Sequence, residues 1–240
     1  MKIVFLGTRG EIEARTRRHR RHTSMLVEYR RRRVMIDCGL DWLGQVWKLN
    51  PHAIVITHAH PDHAWGLKEG APCPVYATRQ AWKDMADYPL KERHTIRPRS
   101  PVTVEGIRFE AFTVEHSTRC PAVGYRVTAG KVTIFYVPDL VYIHQREAAL
   151  SGAAVYIGDG ATLARPMVRR RGGQLIGHVP VRTQLTWCEK CGVPEAVITH
   201  CGARIVEGDE RSIAARLREW GKERGVTVSL AHDGLERILR

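Results

Sequence analysis

Four metal-binding side chains fall within six positions of this chain, as His58-x-His60-x-Asp62-His63. Imidazole nitrogen suits zinc, and a carboxylate adds a harder, negatively charged oxygen ligand. An extended segment sends His58 and His60 to one side, while a following turn presents Asp62 and His63 to a second position. Without a cation such a run is costly to pack. The competing reading is a polar surface turn in a chain that has 12 His. Against it, His and Asp recur where later apolar runs end, at His116, Asp139, Asp159 and His200. Recurrent ligand types at strand ends are how a site is assembled from distant segments.

The elements that must position these residues are short. Residues 2–6 read as a buried first strand closed by Gly7, followed by a loop to about residue 23 that is rich in Arg. Residues 25–29 and 34–36 read as a hairpin turned by the Arg run 30–33 and closing on Asp37-Cys38-Gly39. Residues 53–57 form a β-branched strand that empties into His58, and 75–77 form another, after which Thr78 caps a helix to about residue 86. Further strands are expected at 107–114, 132–137, 154–157 and 196–199, ending near His116, Asp139, Asp159 and His200. Between them a Gly- and Arg-rich loop leads to His178, read as the start of a helical segment. In 210–223, Ile213, Leu217 and Trp220 share one helical face, which is read as core packing. Residues 226–230 and 235–239 flank His232-Asp233-Gly234 and suggest a last hairpin. An echo between residues 53–58 and 196–200 hints at two similar halves.

Composition bounds the class. A chain of 240 residues, 43% hydrophobic, can bury a substantial core. It carries no low-complexity linker, and a single domain over residues 1–240 is expected. The first apolar run, Ile3 to Leu6, is too short for a signal peptide, and nothing later approaches a membrane span. A soluble, cytoplasmic protein with no membrane partner follows as the expectation. Formal net charge is +13, and 30 of the 38 basic residues are Arg, the side chain that grips phosphate bidentately. An anionic, phosphate-containing partner is expected, with nucleic acid among the options; the other reading is surface decoration. Six scattered Cys are not a disulfide framework, and the Cys188/Cys191 pair lacks two further zinc ligands at comparable spacing.

Asp37, the cluster from His58 to His63, His116, Asp139 and His200 together resemble the metallo-β-lactamase superfamily of metallohydrolases. The resemblance implies an α/β fold, a four-layer αβ/βα sandwich with two divalent metal ions between the loop ends of its sheets. They would be zinc, with manganese or iron as alternatives. It implies that His58, His60 and His116 hold one ion and Asp62, His63 and His200 the other. Asp139 would bridge them, and Asp37 would orient the His-rich loop. His232, which also follows a strand, competes with His200 for the last place. Two such ions lower the pKa of a shared water from 15.7 towards about 7 and neutralise developing charge.

The run from His116 through Pro121-Ala122-Val123-Gly124-Tyr125-Arg126 is similar to the transfer-RNA 3′-processing endonucleases (RNase Z) and to cyclic-phosphate phosphodiesterases. The opening Phe5-Leu6-Gly7-Thr8 and the Gly177-His178 pair, 22 residues before His200, resemble the same branch. Carried over, His178 assists at the scissile phosphate and Asp62 orients or deprotonates the attacking group, with Asp159 orienting His178. Only 12 residues separate Arg126 from Asp139, so the long arm of many RNase Z enzymes has no room. The expected function is a metal-dependent phosphodiesterase or nuclease working through a metal-bridging hydroxide. The alternatives are hydrolysis of a lactone, thioester or amide, and a nucleic-acid-binding protein with a non-catalytic metal site. Arg-rich stretches at 9–21 and 165–171 are both placed beside the metal mouth.

Overall fold

In the computed structural model, which describes residues 1–240, the first six strands lie in sequence order in one sheet. They are β1 (Lys2–Gly7), β2 (Ser24–Tyr29), β3 (Arg32–Ile36), β4 (Ala53–Val55), β5 (Val75–Thr78) and β6 (Arg93–Ile96). A second sheet opens with β7 (Val102–Val104), β8 (Ile107–Glu115), β9 (Ala122–Ala129), β10 (Val132–Val137), β11 (Tyr142–Ile143) and β12 (Val155–Asp159). β13 (Met167–Arg171) and β14 (Gln174–His178) form a separate hairpin, and β15 (Glu195–Thr199) and β16 (Thr227–Leu230) complete the second sheet. β17 (Glu236–Ile238) then returns to the first sheet and pairs with β1.

Each sheet is built the same way. Three antiparallel strands, β1-β2-β3 or β8-β9-β10, are followed by three parallel ones, β4-β5-β6 or β12-β15-β16. The two similar halves are therefore real, but the sequence echo is one strand out of step. β4 is the first parallel strand of its half and β15 the second of its own.

Helices α1 (Val46–Leu49), α2 (Pro61–Ala64) and α3 (Arg79–Asp84) pack on the first sheet, and α4 (Arg146–Leu150), α5 (Val181–Lys190), α6 (Ala203–Val206) and α7 (Glu210–Lys222) on the second. Three apolar cores separate these four layers: one between the sheets, around Phe5, Phe109 and Tyr125, and one under each helical layer. Burying each such side chain stabilises the fold by about 1.5–3 kcal/mol. Ile213 and Leu217 of α7 sit in the outer core, as their spacing predicts. Thr78 accepts from Ala81 N as the cap of α3, which ends at Asp84, short of the expected residue 86. No helix is long and apolar enough to cross a membrane.

Three expectations are corrected here. Residues 226–239 are not a hairpin, because β16 and β17 belong to different sheets. His178 does not start a helix but ends β14, and α5 begins at Val181 after Pro180. The residue before a proline is driven out of the helical region, so Val179 cannot be helical. The Gly- and Arg-rich stretch is likewise not a loop but the β13–β14 hairpin. Its turn is Gly172-Gly173, with φ of 55° and 82°, values that glycine adopts freely.

The Arg-rich segment after β1 is also less solvated than a charge run suggests. Arg9 is 1% exposed. Its Nη2 donates to Asp41 Oδ2 and to His22 Nε2, both at 2.8 Å. Arg15 pairs with Asp41 and Arg18 with Glu210. Asp233 accepts from the Thr8 hydroxyl and from the backbone amides of Arg20 and Arg21. This segment is a structural clamp between β1, the turn at Leu40–Trp42 and the last loop.

Candidate metal centre

The ends of strands in both sheets deliver the site. β4 leads through Ile56 and Thr57 to His58, and β8, β10, β12 and β15 lead to His116, Asp139, Asp159 and His200. Asp37 follows β3 at φ 62° and is fully buried. Its Oδ1 accepts from Thr57 N and from the Thr57 hydroxyl, and its Oδ2 accepts from His63 Nδ1 at 2.9 Å. Asp37 therefore ties the start of the His-rich segment to its end, the orienting role expected of it. Gly39 lets this corner close, since a Cβ there would lie 2.0 Å from Asp62 O.

Three of the imidazoles, those of His58, His63 and His116, are held by their outer nitrogen. His58 Nδ1 donates to the Thr57 hydroxyl oxygen (3.0 Å), His63 Nδ1 to Asp37, and His116 Nδ1 to Gly177 O (3.1 Å). Such bonds fix the tautomer and leave Nε2 as the inward lone pair. The inward atoms fall into two sets whose members lie within 4.8 Å of one another: His58, His60, His116 and Asp139, and Asp62, His63, Asp139 and His200. Asp139 belongs to both. Its Oδ2 is 3.3 Å from His58 Nε2 and 2.7 Å from His63 Nε2, and its Oδ1 is 3.0 Å from His200 Nδ1. A third set joins Asp139, Asp159, His178 and His200. All the expected site residues meet at one place.

Burial alone pushes the Asp139 carboxyl up, but His200, His116 and His63 together hold it well below its ordinary value. Burial and the neighbouring His63 drive His58 well below the usual imidazole range, and burial chiefly takes His116 down to about 4. His63 and His200 go the other way: burial opposes their charge, yet the surrounding carboxylates raise both well above normal. The carboxylates thus draw positive charge into the centre. His63 Nε2, Asp139 Oδ1 and His200 Nδ1 are buried and make no hydrogen bond despite these short separations. Close polar atoms misaligned for hydrogen bonding are what lone pairs directed at a common centre produce. The donor set of imidazole and carboxylate suits zinc, manganese or iron.

Above the floor formed by His60, Asp62, His116, Asp139 and His200 opens a pocket of 610 Å³. His178 lines it, with Nδ1 donating to Asp159 Oδ2 at 2.7 Å. Asp159 is fully buried and also accepts from Ala161 N and Leu140 N. Arg165 and Arg204 complete the wall. His232 lies outside the three clusters, its Nδ1 bonding Asp233 O, whereas His200 belongs to two of them. Cys188 is buried in α5 and Cys191 closes it, apart from the centre.

The segment after β1, placed beside the metal mouth from its sequence, does reach it, but through Gly10, Glu11 and Ile12 rather than through its arginines. Gly10 N donates to Cys201 O. A Cβ on Gly10 would lie 3.0 Å from His200 Cε1, so glycine gives that ring its room. Arg204 and Met167 went unnoticed in the sequence, since neither carries a local motif.

The beta-lactamase superfamily domain matches residues 32–201. A ribonuclease Z of Methanopyrus kandleri is 26% identical over 279 aligned positions, spanning 96% of this chain and 95% of that protein. Among solved structures, the metallo-beta-lactamase fold protein YhfI from Bacillus subtilis is similar with a TM-score of 0.77 and 17% identity, over 98% of each chain. A diphosphatase from the PhnP family is similar with a TM-score of 0.74 and 18% identity, over 100% of this chain and 98% of that one. By its sequence match and its four-layer architecture, the chain belongs to the beta-lactamase superfamily and has the metallo-beta-lactamase fold.

Proposed function

We propose that this protein is a hydrolase that uses two divalent cations to cleave phosphodiester bonds. The observation that carries the reading is the joint presence, around one pocket, of the Asp62 and Asp139 carboxylates, a ring of imidazoles and two wall guanidiniums, with Asp37 and Asp159 buried behind them. Asp37, Asp62, Asp139 and Asp159 are each no more than 3% exposed. Two dications would offset much of this buried negative charge, which is costly to leave unbalanced. His58, His60 and His116 would hold one cation and Asp62, His63 and His200 the other, with Asp139 shared. Bound there, the cations supply Lewis acidity and make a water acidic enough to ionise near neutral pH.

The protein's own groups do the rest. Asp62 Oδ2 lies 3.2 Å from His63 Nε2 and 3.1 Å from His200 Nε2, and as an acceptor the carboxylate orients the attacking water. His178 is directed by Asp159, which leaves Nε2 free to hold a proton for the departing oxygen. Burial opposes the charge on this ring, but the Asp159 carboxylate beside it raises its pKa above the ordinary value. Arg165 and Arg204 bind phosphoryl oxygen, which favours a phosphate over an uncharged carbonyl substrate. The similarity to a ribonuclease Z supports the same class.

The test is turnover of bis(p-nitrophenyl) phosphate by protein loaded with zinc or manganese, with His58→Ala as the control. Turnover that His58→Ala abolishes, and that inorganic phosphate inhibits competitively, is expected. No turnover above background with either metal overturns the reading. Hydrolysis of a lactone or thioester that is indifferent to phosphate assigns the site to carbonyl chemistry instead.

A further inference from the structure

The β13–β14 hairpin rises directly from the pocket. Met167, its first residue, lines the pocket and pairs across the ladder with His178. Gly177 N donates to His116 O, and Leu175 N donates to Glu115 Oε2, so the hairpin is docked on the strand that carries His116. Pairing at the base of the hairpin depends on Gly177, at φ 111°, where a Cβ would lie 1.9 Å from Met167 O. Beyond that base the hairpin is solvated, and Arg169, Arg170 and Arg171 are exposed.

Alternation along a strand puts Arg169 and Arg171 on the Met167 side. At about 3.3 Å per residue their Cα atoms lie roughly 7 and 13 Å beyond Met167. Arg165 and Arg204 stand on the pocket wall at the near end of this line. None of Arg165, Arg169, Arg171 and Arg204 pairs with a carboxylate. Arg9, Arg15 and Arg18 after β1, by contrast, are tied to Asp41 and Glu210. The two Arg-rich stretches therefore differ in place: the first is partly clamped, its remaining Arg17, Arg20 and Arg21 lining a separate cleft beside Asp233, while the second is an unpartnered row of guanidiniums leading away from the centre.

We propose that Arg204, Arg165, Arg169 and Arg171 form a track for the phosphates that flank the scissile bond, so that this site takes a single-stranded polynucleotide. A mononucleotide ester would leave the outer two guanidiniums with nothing to hold. The reacting phosphorus must also descend to His116 and Asp139, which are 6% and 3% exposed, and a single strand can thread that pocket. Met167 and Ile12 are the apolar groups beside the track, and they offer bases contact without hydrogen-bond readout. Binding along the track is electrostatic and tolerant of sequence. This inference rests on the phosphodiesterase reading, but its test does not use turnover.

The test is fluorescence anisotropy of the full-length protein with a fluorescein-labelled 12-nucleotide single strand, as RNA and as DNA, in EDTA so that nothing is cut. Each phosphate contact contributes about −0.7 to the slope of log affinity against log salt. Four contacts then amount to about 50-fold in affinity between 50 and 200 mM salt. The variant R165A/R169A/R171A/R204A is expected to lose that much salt dependence with both strands. R211A/R216A/R218A/K222A, at exposed positions of α7, is the charge-matched control and is expected to keep the wild-type slope. A track variant with the wild-type slope, or a helix variant that loses as much, overturns the proposal. So does displacement of the strand by poly-glutamate as readily as by unlabelled oligonucleotide, which would point to an acidic protein partner. Failure to turn over bis(p-nitrophenyl) phosphate would sink the catalytic reading and leave the slope comparison intact.

Discussion

Replacing Asp159 with Asn separates the proton-holding role of His178 from the metal centre. Asp159 Oδ2 accepts from His178 Nδ1 at 2.7 Å and Oδ1 from Ala161 N at 2.7 Å, with Leu140 N at 3.3 Å. An Asn of nearly the same shape can keep its oxygen on Ala161 N, but its amide then faces the His178 and Leu140 N–H groups, donor against donor. What is lost is a hydrogen bond between charged groups, worth about 1.5–3 kcal/mol. At 1.36 kcal/mol per decade, that is about 10- to 150-fold in rate where the leaving oxygen needs a proton. The assay compares two substrates at saturating metal, a dinucleotide whose leaving group is a sugar hydroxyl and bis(p-nitrophenyl) phosphate, whose phenolate departs unaided. Asp159→Asn is expected to slow the first by that factor and the second far less. The double variant with His178→Ala should be no slower on the dinucleotide than His178→Ala alone. Equal losses on both substrates, or additive losses in the double variant, would refute the assignment.

Asp37→Asn removes the acceptor that fixes His63 and Thr57, and is expected to weaken metal binding by about 10- to 100-fold in competition with a chromophoric chelator. Arg9→Met leaves Asp41 and His22 without their buried guanidinium, and a loss of about 3–5 kcal/mol is expected in urea unfolding. Asp41 itself supplies a pH signature: burial raises its carboxyl, but hydrogen bonds from His22 and Arg9 outweigh this and hold it well below the ordinary value. The stability it contributes is complete above its unfolded pKa of about 3.9 and lost as pH falls through the lower folded value. The stability gap between wild type and Asp41→Asn should therefore close on acidification below about pH 4, as read from unfolding midpoints at stepped pH.

Much of the centre was legible because its ligands are concentrated by type. A run such as His58 to His63 carries its meaning locally, and each strand that ends in His116, Asp139 or His200 repeats the signal. The helix at Glu210–Lys222 and its buried face were legible for the same reason, as a regular spacing of apolar residues. Where β14 ends was also written in the chain, in Gly172-Gly173 and Pro180, but an Arg-rich composition between them reads as a loop. An alternation with charge on nearly every residue conceals the period-two pattern by which strands are recognised.

Local residue types and spacing thus marked which side chains are candidate ligands and which strands deliver them, because ligand chemistry and backbone preference act over a few residues. Only the tertiary structure decided that Asp139 stands in both metal-ligand sets, that β16 and β17 part company between the sheets, and which arginines are clamped and which are free. Pairing between segments as distant as Arg9, His22 and Asp41, or Thr8 and Asp233, leaves no mark in local sequence. It arises when two stacked sheets bring their loop ends together and burial forces every charged group there to find a partner.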